Sequence, residues 1–326
     1  MERRPTQRDV AEAAGVSRGL VSLALSDSPG VSPQTKARIL QVADQLGYVR
    51  NLSAAFLAGG LPTALGVVLP DLRNPFFESV IAEVNRHAED LGLLPLVVTT
   101  GNDPLREQTV IRKLLEMRVA GCVVVAPASP DVDLQRLGRS VPMVVLGAEP
   151  IGDMVDVVRM DEGEAATTVF RHLQSRGWER VWHLTPRDAR KDRGVEGRAR
   201  ALQEAAGDLP FTHVIAANDQ ALAPVLRRAL YGGGRPAIIT HNDLLGVDVI
   251  TALRALGYSP GQDVGVVSYD DTHLAQRPEI QLSSVRQKCS QLVGLALELL
   301  VGRGQTPDLP AREAVSHPEL AHRASS

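Results

Sequence analysis

The sequence predicts an α/β protein in two parts: a small head of three short helices, then a larger body of parallel sheets with flanking helices. Three observations predict it. Residues 6–47 carry only helix signals, namely caps, stops and apolar positions three and four apart. From residue 64, short β-rich apolar runs alternate with helical patterns. At 326 residues the chain exceeds one ordinary domain. Aromatic residues are only 3% of it, so its cores rest on Leu, Val, Ile and Ala.

In the head, Thr6 and Asp9 form a capping pair for a first helix ending near Ala14, where Gly15 breaks it. Val16 fills the turn. Ser17 is an N-cap for a second helix reaching about Leu25. Asp27-Ser28-Pro29-Gly30 is a loop. Ser32-Pro33 pairs an N-cap with proline at the first helical position, and Gly47 stops the third helix. Val10, Ala14, Val21, Leu25, Ile39, Ala43 and Leu46 fall on one shared apolar seam. Residues 51–58 are capped by Asn51 and stopped by Gly59-Gly60, too short for a stable isolated helix.

In the body, strands are expected at Ala64–Leu69, Leu94–Thr99, Gly121–Ala126, Met143–Gly147 and Val155–Met160. Val181–Leu184, His213–Ala217, Ala237–Thr240 and Val264–Ser268 follow. Helical patterns intervene, for example Phe77–Leu91, Leu105–Arg118 and Glu162–Arg176. So many strands suit two sheets, hence two subdomains with a cleft between them. Ligands in open parallel sheets bind beyond the carboxyl ends of the strands, where Asp71, Phe76, Phe77, Asn242 and Asp270 fall. Asn242 and Asp270 also suit helix N-caps, and the two phenylalanines suit core.

Composition narrows the function. Net charge is −3, too acidic for a protein that coats nucleic acid, yet residues 1–60 hold seven cations against five anions. No run of 18 apolar residues exists to span a membrane. Met1-Glu2-Arg3-Arg4 leads into no apolar segment, so no secretory leader is expected, and the expected location is the cytoplasm. Cys122 and Cys289 read as two free buried thiols. No Gly-rich phosphate loop, metal-spaced His/Cys cluster or Ser/His/Asp arrangement stands out, so neither catalysis nor a cofactor or metal is expected. His183, His213 and His241 read as structural. Residues 303–326 lack leucine heptads, so no tetramerising coiled coil is expected.

Asp9-Val10-Ala11, Ala14-Gly15-Val16-Ser17, Val21-Ser22, Val31-Ser32, Leu46-Gly47-Tyr48 and Asn51 closely resemble, in order and spacing, the DNA-binding head of the LacI/GalR (lactose-repressor) family. Pro70-Asp71-Leu72-Arg73-Asn74-Pro75-Phe76-Phe77, Thr240-His241-Asn242-Asp243, Val264–Asp271 and Pro318-Glu319-Leu320 extend the resemblance over nearly the whole chain. The body is similar to periplasmic sugar-binding proteins.

The resemblance implies a helix-turn-helix DNA-binding domain at 1–50, a hinge helix and linker at 51–62, and an effector-binding, dimerising core at 63–326. It implies a homodimeric transcription regulator, most simply a repressor, on a pseudo-palindromic double-stranded operator. The small-molecule effector would be a sugar or sugar derivative. DNA contacts would come from Thr6, Ser17, Arg18, Gly19, Ser22 and Leu23, and from Asn51, Ala54 and Leu57 of the hinge. Arg18 is the residue suited to grip guanine O6 and N7; Ser17 and Ser22 suit phosphate. Leu57 holds the position of a minor-groove wedge. The sequence departs from the family pattern at Gly19, Leu23, Arg50 and Ala55. Effector contacts would come from Asp71, Phe76, Phe77, Arg193, Asn242 and Asp270. The family's effector-anchoring arginine falls on Gly194, with Arg193 one step away.

Overall fold

The computed structural model describes residues 3, 5–26, 29–49, 62–186, 193–216 and 222–326. The chain divides into two compact units, Met1–Pro62 and Thr63–Ser326. The hinge residues Asn51, Ala54 and Leu57 lie outside the described residues, as do Arg50 and Ala55.

In the first unit, α1 (Gln7–Ala14), α2 (Arg18–Leu25) and α3 (Pro33–Gln45) start where their caps predict. Thr6 and Asp9 close a capping box, the Ser17 hydroxyl accepts from Leu20 N–H, and the Ser32 hydroxyl accepts from Thr35 N–H. Gly15 ends α1 at φ 63°, a backbone conformation that favours glycine. Val10, Ala11, Ala14, Val21, Ala24, Ile39 and Ala43 form the core. Leu25 is only half-buried and Leu46 is exposed, because the buried face of α2 centres on Val21 and Ala24 and α3 ends before Leu46.

The second unit contains two six-stranded sheets. In chain order its elements are β1 (Ala64–Leu69), α4 (Pro75–Asp90), β2 (Leu94–Thr99), α5 (Pro104–Glu116), β3 (Gly121–Val125), α6 (Asp131–Gly138), β4 (Met143–Leu146) and β5 (Asp156–Met160). Next come α7 (Glu162–Ser175), β6 (Arg180–Pro186), α8 (Arg193–Ala206), β7 (Phe211–Ala216), α9 (Leu222–Leu230) and β8 (Pro236–Thr240). The rest are α10 (Asp243–Ala255), β9 (Gly265–Asp270), α11 (His273–Gln276), β10 (Ser283–Arg286), α12 (Cys289–Gln305), β11 (Glu313–Ser316) and β12 (Glu319–Ala321). The first sheet runs β11-β5-β4-β3-β1-β2 and the second β12-β10-β9-β8-β6-β7. All neighbours are parallel except β10 and β12. The chain passes between the halves after β5, between β10 and α12, and between β11 and β12.

The nine expected strands are present, with ends shifted by up to two residues. Strands β10, β11 and β12 were not foreseen. They are short, and Ser283, Ser284 and Glu313 break the apolar signal. Helix α4 begins at Pro75 rather than Phe77, because the Asn74 side chain accepts from Phe76 N–H and Pro75 occupies the first helical position. Both cysteines are free; Cys122 is buried but Cys289 only half-buried. Among the described residues, no helix is long and apolar enough to cross a membrane.

Candidate functional site

Helix α2 presents one polar, solvent-facing side. Ser17, Arg18, Gly19, Ser22 and Leu23 are all exposed, opposite the buried Val21 and Ala24. Thr6, also exposed, caps α1. Among the described residues, the Arg18 guanidinium has no ion-pair partner. This geometry suits a helix entering a major groove by its first turn.

In the second unit a cavity of about 230 Å³ lies between the carboxyl ends of the two sheets. The first half gives it an apolar wall: Phe76 and Phe77 at the start of α4, Val125 at the end of β3, Leu146 at the end of β4, and Leu292 from α12. The two phenyl rings meet edge to face, centroids 5.8 Å apart. The second half gives a polar wall: Glu162, Arg198, His241, Asn242 and Asp270.

The polar wall is built by short-range chemistry. Arg198, on α8, is buried beneath a full set of partners. It donates to Glu162 from Nε at 3.2 and 3.1 Å and from Nη2 at 2.9 Å. Its Nη1 donates to the His241 carbonyl at 2.6 Å, and the guanidinium lies 4.0 Å above the Tyr269 ring. Burial works against the Arg198 charge, but the Glu162 carboxylate outweighs it and holds the pKa above the ordinary arginine range. Burial first, and the Arg198 charge next, keep His241 neutral well below the usual imidazole range. His183, beneath it in β6, is likewise lowered by burial and by His213. Among the described residues, nothing meets His241 Nδ1, Tyr269 Oη or either ring nitrogen of His183.

Asp270 closes β9 at φ 104°, a backbone region that costs a non-glycine residue about 1–3 kcal/mol. Its carboxylate accepts from Asn74 Nδ2 at 3.0 Å, across the cleft, and from Gln287 Nε2 at 2.5 Å, on the connection into α12. Burial pushes its pKa up, against the pull of Arg198. Asp243 behind it accepts from Thr272 N–H and hydroxyl and from Ser284; burial and the Asp270 charge push its pKa to about 7. A second cross-cleft contact joins Glu149 to Arg200.

Phe76, Phe77, Asn242 and Asp270 therefore meet at one cavity. Asn242 fills both of its expected roles, capping α10 through Leu245 N–H and lining the cavity. Asp270 caps no helix; it ends its strand. Asp71 is not among the lining residues and instead accepts from the Arg73 N–H at 2.8 Å. Arg193 opens α8, and its side chain lies outside the described residues. Sequence reasoning missed Glu149, Arg159, Glu162, Arg198, Arg200 and Gln287. Their partners lie far off in sequence, and no local spacing marks them. His241, expected to be structural, also lines the cavity.

Residues 6–51 match the family of bacterial regulatory proteins, lacI family, and residues 170–326 match the periplasmic binding protein-like domain. Among curated proteins, the chain is 29% identical to the HTH-type transcriptional regulator reg1 of Streptomyces lividans, over 98% of this chain and 95% of that one. It is 29% identical to the HTH-type transcriptional regulator GalS of Salmonella typhimurium, covering 98% and 96%. Among solved structures, a lac repressor dimer bound to operator and an anti-inducer aligns with TM-score 0.84 at 21% identity, covering 99% of each chain. A complex of the transcriptional regulator CelR with cellobiose aligns with TM-score 0.69 at 23% identity, covering 99% and 100%. These relatives are transcriptional regulators, not enzymes.

Proposed function

We propose a function on one premise: the chain belongs to the lacI family of bacterial regulatory proteins and is a DNA-binding transcriptional regulator. It acts as a cytoplasmic homodimeric repressor on a pseudo-palindromic operator, and a sugar or sugar derivative in the body cavity sets its grip. The observation that carries this reading is the cavity itself, an apolar platform facing a hydrogen-bonding wall, in a chain whose head exposes the polar side of α2.

Residues 1–50 are the DNA-binding domain, 51–62 the hinge and 63–326 the effector-binding and dimerising core. Arg18 reads a guanine, while Thr6, Ser17 and Ser22 contact phosphate. Gly19 and Leu23 line the same face; Asn51, Ala54 and Leu57 act from the hinge in the minor groove. Phe76 and Phe77 stack on the effector's apolar face, and Asn242 and Asp270 bind its hydroxyls. The edge strands β2 and β7 carry exposed Leu94, Val97 and Ile215, apolar surface that a second copy would cover. Effector and operator are linked: each changes the other's affinity by the same factor.

Selection of bound sequences from random DNA tests this. A two-fold symmetric site is expected. Arg18→Ala should cut discrimination at one base pair per half-site by about 5- to 150-fold, the equivalent of roughly 1–3 kcal/mol. Equal loss on every sequence would make Arg18 a phosphate contact, and no selected site at all would end the reading.

A further inference from the structure

We propose that the cavity is selective by charge: it takes a neutral or amine-bearing polyhydroxyl ligand and rejects the phosphorylated or carboxylated counterpart. The inference rests on the reading of the cavity as the effector site. The argument comes from where each charge at the cavity is already spent.

Three guanidiniums line the described wall, and each has a carboxylate. Arg159 donates to Glu313 at 2.5 Å. Arg198 is held by Glu162 through three bonds and by a carbonyl through a fourth. Arg200 pairs with Glu149. Each is thus already paired, and freeing Arg198 for an incoming anion would also strip the partly buried Glu162 carboxylate of its partner. Arg198 is the most costly to free, because its side chain is 7% exposed.

Two lining carboxylates have no described cation on them. Asp270 is met by the neutral amides of Asn74 and Gln287. Glu204, exposed on α8, completes that side of the wall. Gly194 and Gly197, on the α8 face toward the cavity, contribute no side chain at all. The described surroundings therefore offer acceptors to hydrogen-bond donors and no spare cation to an anion; burial raises the pKa of Asp270 against the pull of Arg198. A hydroxyl or ammonium donates to Asp270 without disturbing a pair. A phosphate or carboxylate would set its oxygens against those of Asp270 and Glu204, with every guanidinium of the described wall already paired.

Calorimetric titration of the full-length protein with matched ligands tests the proposal: glucose, glucosamine and glucose 6-phosphate; ribose and ribose 5-phosphate; adenosine and its 5′-monophosphate. In whichever set binds, the uncharged or amine member should bind at least tenfold tighter than the phosphorylated one. Asp270→Asn, nearly isosteric, and Glu204→Gln, at an exposed position, should each shrink that ratio severalfold. A phosphorylated member that binds as tightly or tighter overturns the charge selectivity and leaves the effector cavity standing. Silence from every set overturns the sugar reading itself, and the selectivity with it. A ratio unmoved in both variants overturns the assignment to these carboxylates.

Discussion

The two halves of the body share a plan and differ in what they bury. Strand β1 fills its centre with Val67, Val68 and Leu69; the equivalent β6 places His183 and Thr185 there. Strand β4 reads Met-Val-Val-Leu, whereas β9 carries Ser268, Tyr269 and Asp270. The first half therefore holds its shape by apolar burial and offers the cavity a platform. The second half spends buried volume on two hydrogen-bonded groups: Arg198 with His241 at the cavity, and Asp243, Asp271, Thr272, Ser283 and Ser284 behind it. Buried polar groups left without partners cost about 1–3 kcal/mol each, so the second half gives up stability where it gains chemistry. Asp243, Asp270, His183 and His241, whose pKa values burial displaces at and behind the cavity, belong to that half.

The comparison is sharpest at the two buried guanidiniums. Arg303, in the first half, grips Asp156 at 2.9 and 2.5 Å, and Arg312 grips the same carboxylate at 2.7 Å. Burial works against the Asp156 charge, but these bonds outweigh it and lower its pKa. Arg303 also donates to the Leu309 and Pro310 carbonyls, far from the cavity lining. Asp156→Ala should thus cost about 3–5 kcal/mol, the usual result of stranding a buried charge, read from the urea midpoint. Glu162→Ala should cost distinctly less, because the Glu162 side chain is 21% exposed and water reaches the freed Arg198. That same variant should weaken the cavity's bias against anions. Equal stability losses would erase the distinction between a structural and a cavity-facing guanidinium.

The pH response comes next in size. The unfolded Asp243 ionises near pH 3.9, while the folded one holds its proton to about 7. Between those values the folded state binds more protons, so this group makes stability fall as pH rises. His183 and His241 act oppositely. Burial holds their pKa values well below 6.5, so the unfolded chain takes up protons first as pH falls, and stability drops with it. The two slopes oppose below pH 6.5; from there to about 7 the slope belongs to Asp243, joined by the likewise raised Asp270. Asp243→Asn should reduce that fall and steepen the rise on the acid side, in urea denaturation from pH 5 to 8. Unchanged slopes would show that the second half does not govern the response.

Local signals made the head legible: Thr6, Ser17, Ser32 and Gly15 mark ends within a few residues of themselves. Nine strands were legible because parallel sheets buried on both faces read as apolar runs. Strands β10 to β12 were not, because their order comes from partners rather than from composition; Ser283 bonds to Ser325, 42 residues on. The cavity was half legible. Phe76, Phe77, Asn242 and Asp270 fall at strand ends, which topology brings together. Asp71 falls at one too, yet its bond to the Arg73 N–H holds its carboxylate in its own loop. The pairs Glu162–Arg198 and Glu149–Arg200 span 36 and 51 residues, and no periodicity links them.

The smallest effect is expected where the halves meet. Glu149 from the first half and Arg200 from the second join across the cleft, but their side chains are 52% and 58% exposed. An ion pair so wetted contributes about 0–1 kcal/mol, negligible for folding and at most about fivefold in an equilibrium. It acts, however, on the one coordinate that links the halves, their mutual closure. The part-buried Asn74–Asp270 bond acts on the same coordinate with less screening. Glu149→Gln should therefore leave the urea midpoint unmoved while raising the open population up to about fivefold, measured as inter-label distances between the halves by electron spin resonance. The charge-swapped double variant, Glu149→Arg with Arg200→Glu, should restore the closed distance. Half-molar salt should imitate the single variant, because it shortens electrostatic reach to a few ångströms. Asn74→Ala should open the cleft further and resist the salt. If both variants open it equally and salt affects both alike, surface charge alone sets closure, and the buried polar network of the second half has no part in it.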